Sequence, residues 1–452
     1  MDSYMKYGES NKIVNWINGK IDDSNVSSWL DKYDPHTGQI ICKVADSSFS
    51  CVDSAVLSAE MAFKSWSEQT PVSRGKVLFE IVRLMTKDAD LLAENIALET
   101  GKPPSDANGE VSAAIMQGEF FAGEGMRLYG KTLTSSVSGK YSHTVRQPRG
   151  VVGLIVPANT PIANIAWKVF PALICGNTIV LKASEDAPSI ALMFAKITKN
   201  AGLPDGVLNI IQGGKIAGES LVSHPLVSLL SFTGSTVVGR TIAKSAGERL
   251  ARVSLELGGK NAMVICDDAD VDQAVHWASL SAFSNAGQRC AATSRILIFE
   301  KIYNEFVSKL IKKAKSLKLG IDEGSDLGPV INHKQFLNIL SIINACSETE
   351  GITLCGGKAP SNSKLSKGWY IEPTIIEITD ENCSINKKEL FGPVATIQKV
   401  TDIEQALSIA NNSEYGLTAA IHTKDVDRAM WFAQRVRVGT VNVNIGTFGS
   451  EP

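Results

Sequence analysis

Residues 150–182, GVVGLIVPANTPIANIAWKVFPALICGNTIVLK, indicate the fold class of this chain. Val151–Val156 is a short apolar run of the kind that forms a strand, and Ile162–Cys175 repeats apolar residues at helical spacing. Thr178–Leu181 is a second apolar run. Because strands buried on both faces read as unbroken apolar runs between helices, this stretch predicts a parallel sheet covered on both sides.

The same alternation continues toward the C-terminus. Pro188–Ala201 is a predicted helix, followed by predicted strands at Leu208–Ile211 and Leu229–Phe232. A further series of predicted strands comprises Ala262–Ile265, Arg295–Phe299, Val394–Val400 and Thr418–Ile421. We therefore expect two α/β domains that meet near Glu256–Lys260.

The part of the chain before residue 150 has a different pattern. Apolar residues at helical spacing predict helices at 52–66, 77–85 and about 106–128. Thr132–Gln147 is rich in Ser, Gly and Thr, with Ser138-Gly139 as the expected hairpin turn. We expect this segment to project from the core as a β-ribbon.

The bulk composition excludes several classes of protein. The 452 residues include 45 Lys and Arg and 47 Asp and Glu, and a net charge of -2 gives no support for a nucleic-acid or anionic-membrane partner. No run reaches the roughly 18 to 20 apolar residues that span a bilayer, and the first twenty residues lack the apolar core of a signal peptide. The eight cysteines show no C-x-x-C spacing, which indicates reduced thiols rather than disulfides. The six histidines are scattered, which makes a structural metal site unexpected. We expect a cytoplasmic location.

Two segments carry candidate reactive side chains. In Ser284-Asn-Ala-Gly-Gln-Arg-Cys290, a Gly-containing loop before a strand suits a presented thiol, although a lone cysteine is more often a small buried hydrophobe. In Val253-Ser-Leu-Glu-Leu-Gly-Gly-Lys260, Glu256 lies in an otherwise apolar strand. Because an unpaired buried charge is costly, this position favours a general base tuned by burial; the alternative is a carboxylate that ends a strand.

Two further segments offer hydrogen-bond donors. Asn159 follows a predicted strand, where α/β sheets place ligand contacts, and its amide suits an oxyanion; it also suits an ordinary turn. Gly234 and Ser235 follow another strand and open a helix whose free N–H groups suit a phosphate. A Gly-Ser turn is common, and this one is not the G-x-G-x-x-G fingerprint.

Together these segments resemble the aldehyde dehydrogenase superfamily. The resemblance runs from about Trp16 to Pro452 and looks closest to dehydrogenases of succinic or 2-oxoglutaric semialdehyde. Its motifs, in family order, are Pro157-Ala-Asn-Thr-Pro161, Leu181-Lys-Ala-Ser-Glu185, Phe232-Thr-Gly-Ser-Thr236, Leu255-Glu-Leu-Gly-Gly259, Gly287-Gln-Arg-Cys290 and Glu389-Leu-Phe-Gly-Pro393. The resemblance implies an NAD(P)-dependent enzyme that oxidises an aldehyde to a carboxylate.

The resemblance also implies roles for individual residues. Cys290 corresponds to the nucleophile, Asn159 with the Cys290 backbone N–H to the oxyanion donors, and Glu256 to the base that activates water against the thioester. The implied cofactor contacts are Lys182 and Glu185 at the adenine ribose, Gly234 and Ser235 at the pyrophosphate, Glu389 and Phe391 at the nicotinamide ribose, and Leu257. Since a Glu185 carboxylate repels a 2′-phosphate, NAD is favoured over NADP, an effect that Lys182 softens.

The resemblance implies a Rossmann-like parallel-sheet cofactor domain and a second α/β catalytic domain. It assigns residues 1–130 and 148–257 to NAD binding, 131–147 to an oligomerisation ribbon of a homo-oligomer, and 258–452 to catalysis. The chain stops at Gly449-Ser-Glu-Pro452, whereas relatives continue with a Gly-rich turn and a final strand that pairs with a neighbouring subunit. The expectation is a truncated product or a different assembly.

The substrate prediction rests on two arginines. Arg127 is expected to clamp the distal carboxylate of a semialdehyde, with an exposed helix arginine as the alternative, and Arg289 to act beside the thiolate or to pair at the surface. Ala158 and Thr160 stand where relatives carry aromatics, which predicts a wider or more polar wall.

Three alternative functions stay open at this point. One is a CoA-acylating dehydrogenase, in which Glu256 would be idle. Another is a cofactor-free cysteine hydrolase or acyltransferase that uses Cys290, which needs a His base that the sequence does not indicate. The third is a catalytically impaired truncated chain that acts as a binding or structural remnant.

Overall fold

The computed structural model describes residues 12–449, apart from the side chains of residues 348 and 349. Its strands are β1 (Lys12–Ile13), β2 (Asn15–Ile17), β3 (Lys20–Asp22), β4 (Trp29–Tyr33), β5 (Ile40–Ala45), β6 (Thr132–Leu133), β7 (Ser142–His143), β8 (Val151–Ile155), β9 (Thr178–Lys182), β10 (Leu208–Ile211), β11 (Val227–Thr233), β12 (Arg252–Glu256), β13 (Asn261–Ile265), β14 (Thr293–Phe299), β15 (Gly351–Cys355), β16 (Thr374–Ile378), β17 (Val394–Val400), β18 (Thr418–His422) and β19 (Thr440–Val443). Its α-helices are α1 (Phe49–Ser67), α2 (Pro71–Lys87), α3 (Ala89–Thr100), α4 (Pro104–Glu124), α5 (Pro161–Ile174), α6 (Pro188–Asn200), α7 (Lys215–Ser223), α8 (Thr236–Glu248), α9 (Val271–Phe283), α10 (Tyr303–Ser316), α11 (His333–Thr349), α12 (Ser384–Lys387), α13 (Ile403–Asn411) and α14 (Val426–Ala433). Much of the N-terminal stretch that lacks a signal-peptide core, and the last three residues, lie outside the described part.

The first large sheet contains the stretch that indicated the fold class. Its seven strands run in the order β12-β11-β8-β9-β10-β2-β3, and the pairs from β12 to β10 are all parallel. Strands β9 and β10 are buried along their whole length, because α1, α5 and α6 pack around this sheet. The prediction of an α/β fold with a parallel sheet is confirmed.

The second large sheet has the order β15-β16-β17-β14-β13-β18-β19, in which β15 alone pairs antiparallel. Strands β13 and β18 are fully buried, and α9 and α10 pack against the sheet with α13 and α14. Each sheet therefore has its own apolar core. The boundaries of the domains stay a prediction.

Two smaller features lie on the N-terminal side. Strands β6 and β7 pair antiparallel and are largely exposed, and Gly139 between them has a φ of 74°.

The third predicted helix ends at Glu124 rather than at Leu128. The prediction of its end is wrong because Gly125 packs directly against the Pro71 carbonyl, and a glycine is a poor helix former. None of the described helices is long and apolar enough to cross a bilayer.

Candidate active site

Cys290 follows a tightly turned loop. A short 3₁₀ turn at Ser284–Gly287 ends α9, and Asn285, Ala286 and Gly287 have φ values of 52°, 53° and 67°. A run of left-handed residues is costly for L-amino acids, so surrounding contacts must hold this loop. At Gly287 a Cβ atom would lie 2.1 Å from the Gly392 carbonyl oxygen, so the loop packs backbone to backbone against the Glu389–Pro393 motif.

The Cys290 thiol is half-buried and is protonated at neutral pH. Desolvation raises its pKa, and the negative charges of Glu389 and, more weakly, Glu256 raise it further. The backbone N–H of Ala291 favours the thiolate and lowers the pKa in part. Both carboxylates therefore lie within electrostatic range of the sulfur, and the thiol must lose its proton before it can attack an aldehyde.

Asn159 lies beyond the carboxyl end of β8 and is bound to the same loop. Its amide nitrogen donates to the Gln288 carbonyl over 2.9 Å. The backbone carbonyl oxygen of Asn159 accepts from Lys102 Nζ over 2.8 Å and from the Asn285 side-chain amide over 3.0 Å. The described residues thus use one of the two amide hydrogens of Asn159, and the other suits an oxyanion.

Glu256 is exposed, so the expectation of a buried carboxylate is wrong. The reason is the strand order: within residues 12–449, β12 is the outer strand of the first sheet and pairs with β11 alone. The Glu256 carbonyl accepts from Gly234 N–H over 3.1 Å. Its charge reaches both Cys290 and Lys168, a buried lysine on α5 whose pKa desolvation lowers to about 8.

Candidate cofactor contacts lie at the carboxyl ends of β9 and β11. Lys182 Nζ is 3.0 Å from Glu185 Oε2, with the lysine buried and the glutamate partly exposed. Ser235 is the N-cap of α8, where its hydroxyl accepts from Val238 N–H over 3.4 Å. A Cβ atom on Gly234 would lie 2.4 Å from the Phe232 ring, so this turn accepts only glycine without a shift.

The remaining candidate cofactor contacts come from segments next to each large sheet. Leu257 directly follows β12 of the first sheet, and Glu389 and Phe391 come just before β17 of the second. Leu257 packs directly on Gly239 of α8. Glu389 is half-buried, its Oε1 accepts from Gly259 N–H over 3.2 Å, and desolvation raises its pKa. Phe391 has a φ of 55°, which is rare for a large side chain.

The two candidate substrate arginines occupy different surroundings. Arg127, after the end of α4, is exposed and pairs with Glu124 at 2.8 Å. Arg289 is half-buried beside Cys290, 3.5 Å from Asp106, and its guanidinium stacks 4.9 Å over the Phe448 ring. Its Nε is buried without a hydrogen-bond partner in residues 12–449. The loop therefore brings Arg289 to the candidate site, whereas no described contact links Arg127 to it.

Sequence reasoning missed three residues around Asn159. Lys102 and Glu110 form a buried ion pair behind it, and Asn285 bridges it to the Cys290 loop. Lys102 lies between the predicted helices at 77–85 and about 106–128, and Glu110 lies on the second of them. A charged residue in an apolar context is the available signal, but the burial of these two depends on tertiary packing. Within residues 12–449, no cluster of three or more His, Cys, Asp or Glu is arranged to hold a metal ion.

Comparison with known proteins settles the family. The model of the aldehyde dehydrogenase family matches residues 21–452. The chain belongs to the aldehyde dehydrogenase family. It is therefore an NAD(P)-dependent aldehyde oxidoreductase.

Relatives in this family cover most of the chain. An aldehyde dehydrogenase of Davidiella tassiana is 39% identical over 434 residues, which is 95% of this chain and 86% of the relative. Among solved structures, PnpE from Pseudomonas sp. WBC-3 has a TM-score of 0.95 at 34% identity, over 97% and 91% of the two chains. Betaine aldehyde dehydrogenase from Staphylococcus aureus in complex with NAD+ has a TM-score of 0.94 at 32% identity, over 97% and 88%.

Proposed function

We propose that this aldehyde dehydrogenase oxidises a carboxylate-bearing semialdehyde to the acid with NAD+ through a thioester on Cys290. The observation that carries the mechanism is the hydrogen bond from the Asn159 amide to the Gln288 carbonyl, which joins Asn159 to the loop of Cys290, with the Glu256 charge in range of the thiol. The NAD-binding domain, residues 1–130 and 148–257, would hold the cofactor, and the catalytic domain, residues 258–452, would supply the nucleophile.

The residues at the proposed cofactor site fit a dinucleotide. The Gly234–Ser235 turn leaves the N-terminus of α8 accessible, with no side chain on Gly234, which suits a pyrophosphate. The Lys182–Glu185 pair suits ribose hydroxyls, and the partly exposed Glu185 carboxylate would repel the 2′-phosphate of NADP. PnpE has been solved in complex with nicotinamide adenine dinucleotide, which supports the same cofactor here.

The chain's own residues account for each remaining part of the reaction. Once the Cys290 thiol has passed its proton to solvent, the sulfur forms a bond to the aldehyde carbon, and the C=O π electrons move to the carbonyl oxygen, which takes the negative charge. The free amide hydrogen of Asn159 and the Cys290 N–H would stabilise that oxyanion, and removing one such donor typically lowers kcat by about 10²–10³-fold. Bound NAD+ supplies the hydride acceptor. Glu256, which is exposed to solvent, then takes a proton from the water that attacks the thioester, which releases the acid and restores Cys290.

The preference for a semialdehyde rests on Arg289. Its buried Nε has no partner in the described part of the chain, and the contact to Asp106 is long at 3.5 Å. A guanidinium with spare donors suits a carboxylate, which binds it in bidentate fashion. Arg127 supports the proposal less, because it is exposed and already paired with Glu124.

The test compares succinic semialdehyde with an uncharged aldehyde of the same chain length, followed by NADH absorbance. We expect kcat/KM to favour the semialdehyde by more than tenfold, Arg289→Ala to remove that preference, and Arg127→Ala, the matched control, to leave it. Equal kcat/KM values would contradict the semialdehyde assignment alone. No NADH with any aldehyde, despite measurable NAD+ binding, would contradict catalysis and favour a binding function.

We also propose that the chain forms a homo-oligomer through the ribbon of β6 and β7. Leu133, Val137, Tyr141 and Val145 are exposed there, and exposed apolar side chains close together are typical of an interface. Replacing Leu133 and Val145 by serine should reduce the mass measured by light scattering to that of a monomer. A wild-type chain that is already monomeric would contradict the proposal.

A further inference from the structure

A buried ion pair lies directly behind Asn159. Lys102 Nζ is 2.5 Å from Glu110 Oε2, and the two side chains are only 2% and 3% exposed. Lys102 follows Gly101, which ends α3, and Glu110 lies in the second turn of α4. Burying both charges carries a desolvation penalty that an apolar pair of similar volume would avoid. A pair of this kind is weak support for stability alone, so its other contacts are informative.

Lys102 makes its second contact with Asn159 itself. Its Nζ donates to the Asn159 carbonyl oxygen over 2.8 Å, and the Asn285 amide donates to the same oxygen over 3.0 Å. Both acceptor sites of that carbonyl are therefore occupied. Because Lys102 and Asn285 both hold the carbonyl of the peptide group next to the Asn159 Cα, that peptide group has little freedom to rotate.

Glu110 holds the segment that follows Asn159. Its Oε1 accepts from Ile162 N–H over 2.9 Å and from Ala163 N–H over 3.3 Å, in the first turn of α5. The N-cap residue Thr160 makes no side-chain cap bond, so the distant carboxylate takes that role. A negative charge also suits a helix N-terminus.

We propose that Lys102 and Glu110 are positioning residues that fix the Asn159 amide toward the reacting oxygen. The inference rests on the proposed role of Asn159 as oxyanion donor. The ion pair holds the backbone of the segment at two points, Asn159 through Lys102 and the start of α5 through Glu110. Because oxyanion stabilisation is needed only in the transition state, the pair acts on kcat more than on KM.

The main test removes both charges together. The double variant Lys102→Met/Glu110→Leu leaves no orphan charge in the interior, so its loss of stability in urea unfolding should be limited to that of the α5 cap, about 0.5–2 kcal/mol. We expect its kcat to fall at least tenfold, while NAD+ affinity and the KM for the aldehyde change less than threefold. The single variant Lys102→Arg, which keeps a hydrogen-bond donor at this position, should have a higher kcat than the double variant. Wild-type kcat in a stably folded double variant would overturn the proposal.

A double-mutant cycle with Asn159→Ala shows whether the pair acts through Asn159. If it does, adding Lys102→Met/Glu110→Leu to Asn159→Ala should lower kcat no further; additive losses would overturn the proposal. Glu99→Gln is the matched control, because Glu99 is a buried carboxylate that caps α6 through Ser189 and Ile190 at 2.8 Å and 3.3 Å. Any loss of kcat that Glu99→Gln causes should add to that of Asn159→Ala. Wild-type kcat in Asn159→Ala alone would instead refute the proposed role of Asn159, and the positioning role would fall with it.

Discussion

Replacing Gly287 by alanine should displace the loop that carries Cys290. The new Cβ would lie 2.1 Å from the Gly392 carbonyl oxygen and 2.4 Å from its carbon, whereas unstrained contacts are more than 3 Å apart. Both partners are backbone atoms, so no side-chain rotation relieves the clash. Gly287 also has a φ of 67°, which costs an L-residue about 1–2 kcal/mol. Overpacking adds about 1–3 kcal/mol, for a total loss of roughly 2–5 kcal/mol in the free energy of unfolding.

The folded variant should also lose activity. Separating the two backbones requires a movement of about 1 Å, and a misplacement of that size can lower the rate about 10²-fold. Urea unfolding measures the first effect, and NADH formation with alkylation of the Cys290 peptide measures the second. Gly247→Ala is the matched control: Gly247 lies in α8 with open space around it, so alanine there should stabilise the chain by about 0.5–1 kcal/mol. Wild-type unfolding and turnover in Gly287→Ala would refute the reasoning.

Three further predictions follow from burial and charge at the site. Desolvation lowers the pKa of Lys260 to about 7, so between pH 7 and about 10.5 the unfolded chain binds more protons than the folded chain, and the free energy of unfolding rises with pH. Lys260→Met should flatten that rise when the free energy is measured by urea unfolding. An equal rise with pH in the variant and the wild type would contradict the prediction. The Glu389 charge adds to desolvation in raising the pKa of Cys290, and Glu389→Gln removes that charge. The pH profile of the rate at which iodoacetamide alkylates the Cys290 peptide should therefore shift to lower pH. An unshifted profile would count against this electrostatic account. Gly234→Ala brings a Cβ 2.4 Å from the Phe232 ring, so the turn must shift, and the variant should weaken NAD+ binding at least tenfold by calorimetry; an unchanged Kd would remove the turn from the cofactor site.

The sequence predicted the central strands of both sheets and the edge strand β12, but not β2 and β3 at the opposite edge of the first sheet. Val151–Val156 and Ala262–Ile265 are apolar because both faces of their strands are buried, and that pattern is visible without a structure. Strands β2 and β3 are three residues each and mix polar with apolar side chains, so no periodicity marks them. The strand order, which makes β12 an edge, is a tertiary property, and it explains why Glu256 is exposed.

The candidate site divides in the same way. The motifs around Cys290 and Asn159 could be identified along the chain because they are local. The contact of Lys102 with Asn159 joins residues 57 positions apart, and that of Asn285 with Asn159 joins residues 126 apart. No local pattern encodes such contacts, so the residues that position the oxyanion donor required the structure.

The most direct test of the account is the mass of the Cys290 peptide after a single turnover. Glu256→Gln, which removes the proposed base, should form one equivalent of NADH on mixing with NAD+ and aldehyde, and acid quenching should leave an acyl group on the Cys290 peptide alone. The other seven cysteines serve as internal controls. An acyl group on another cysteine, or one equivalent of NADH with no acylated peptide, would contradict the thioester on Cys290.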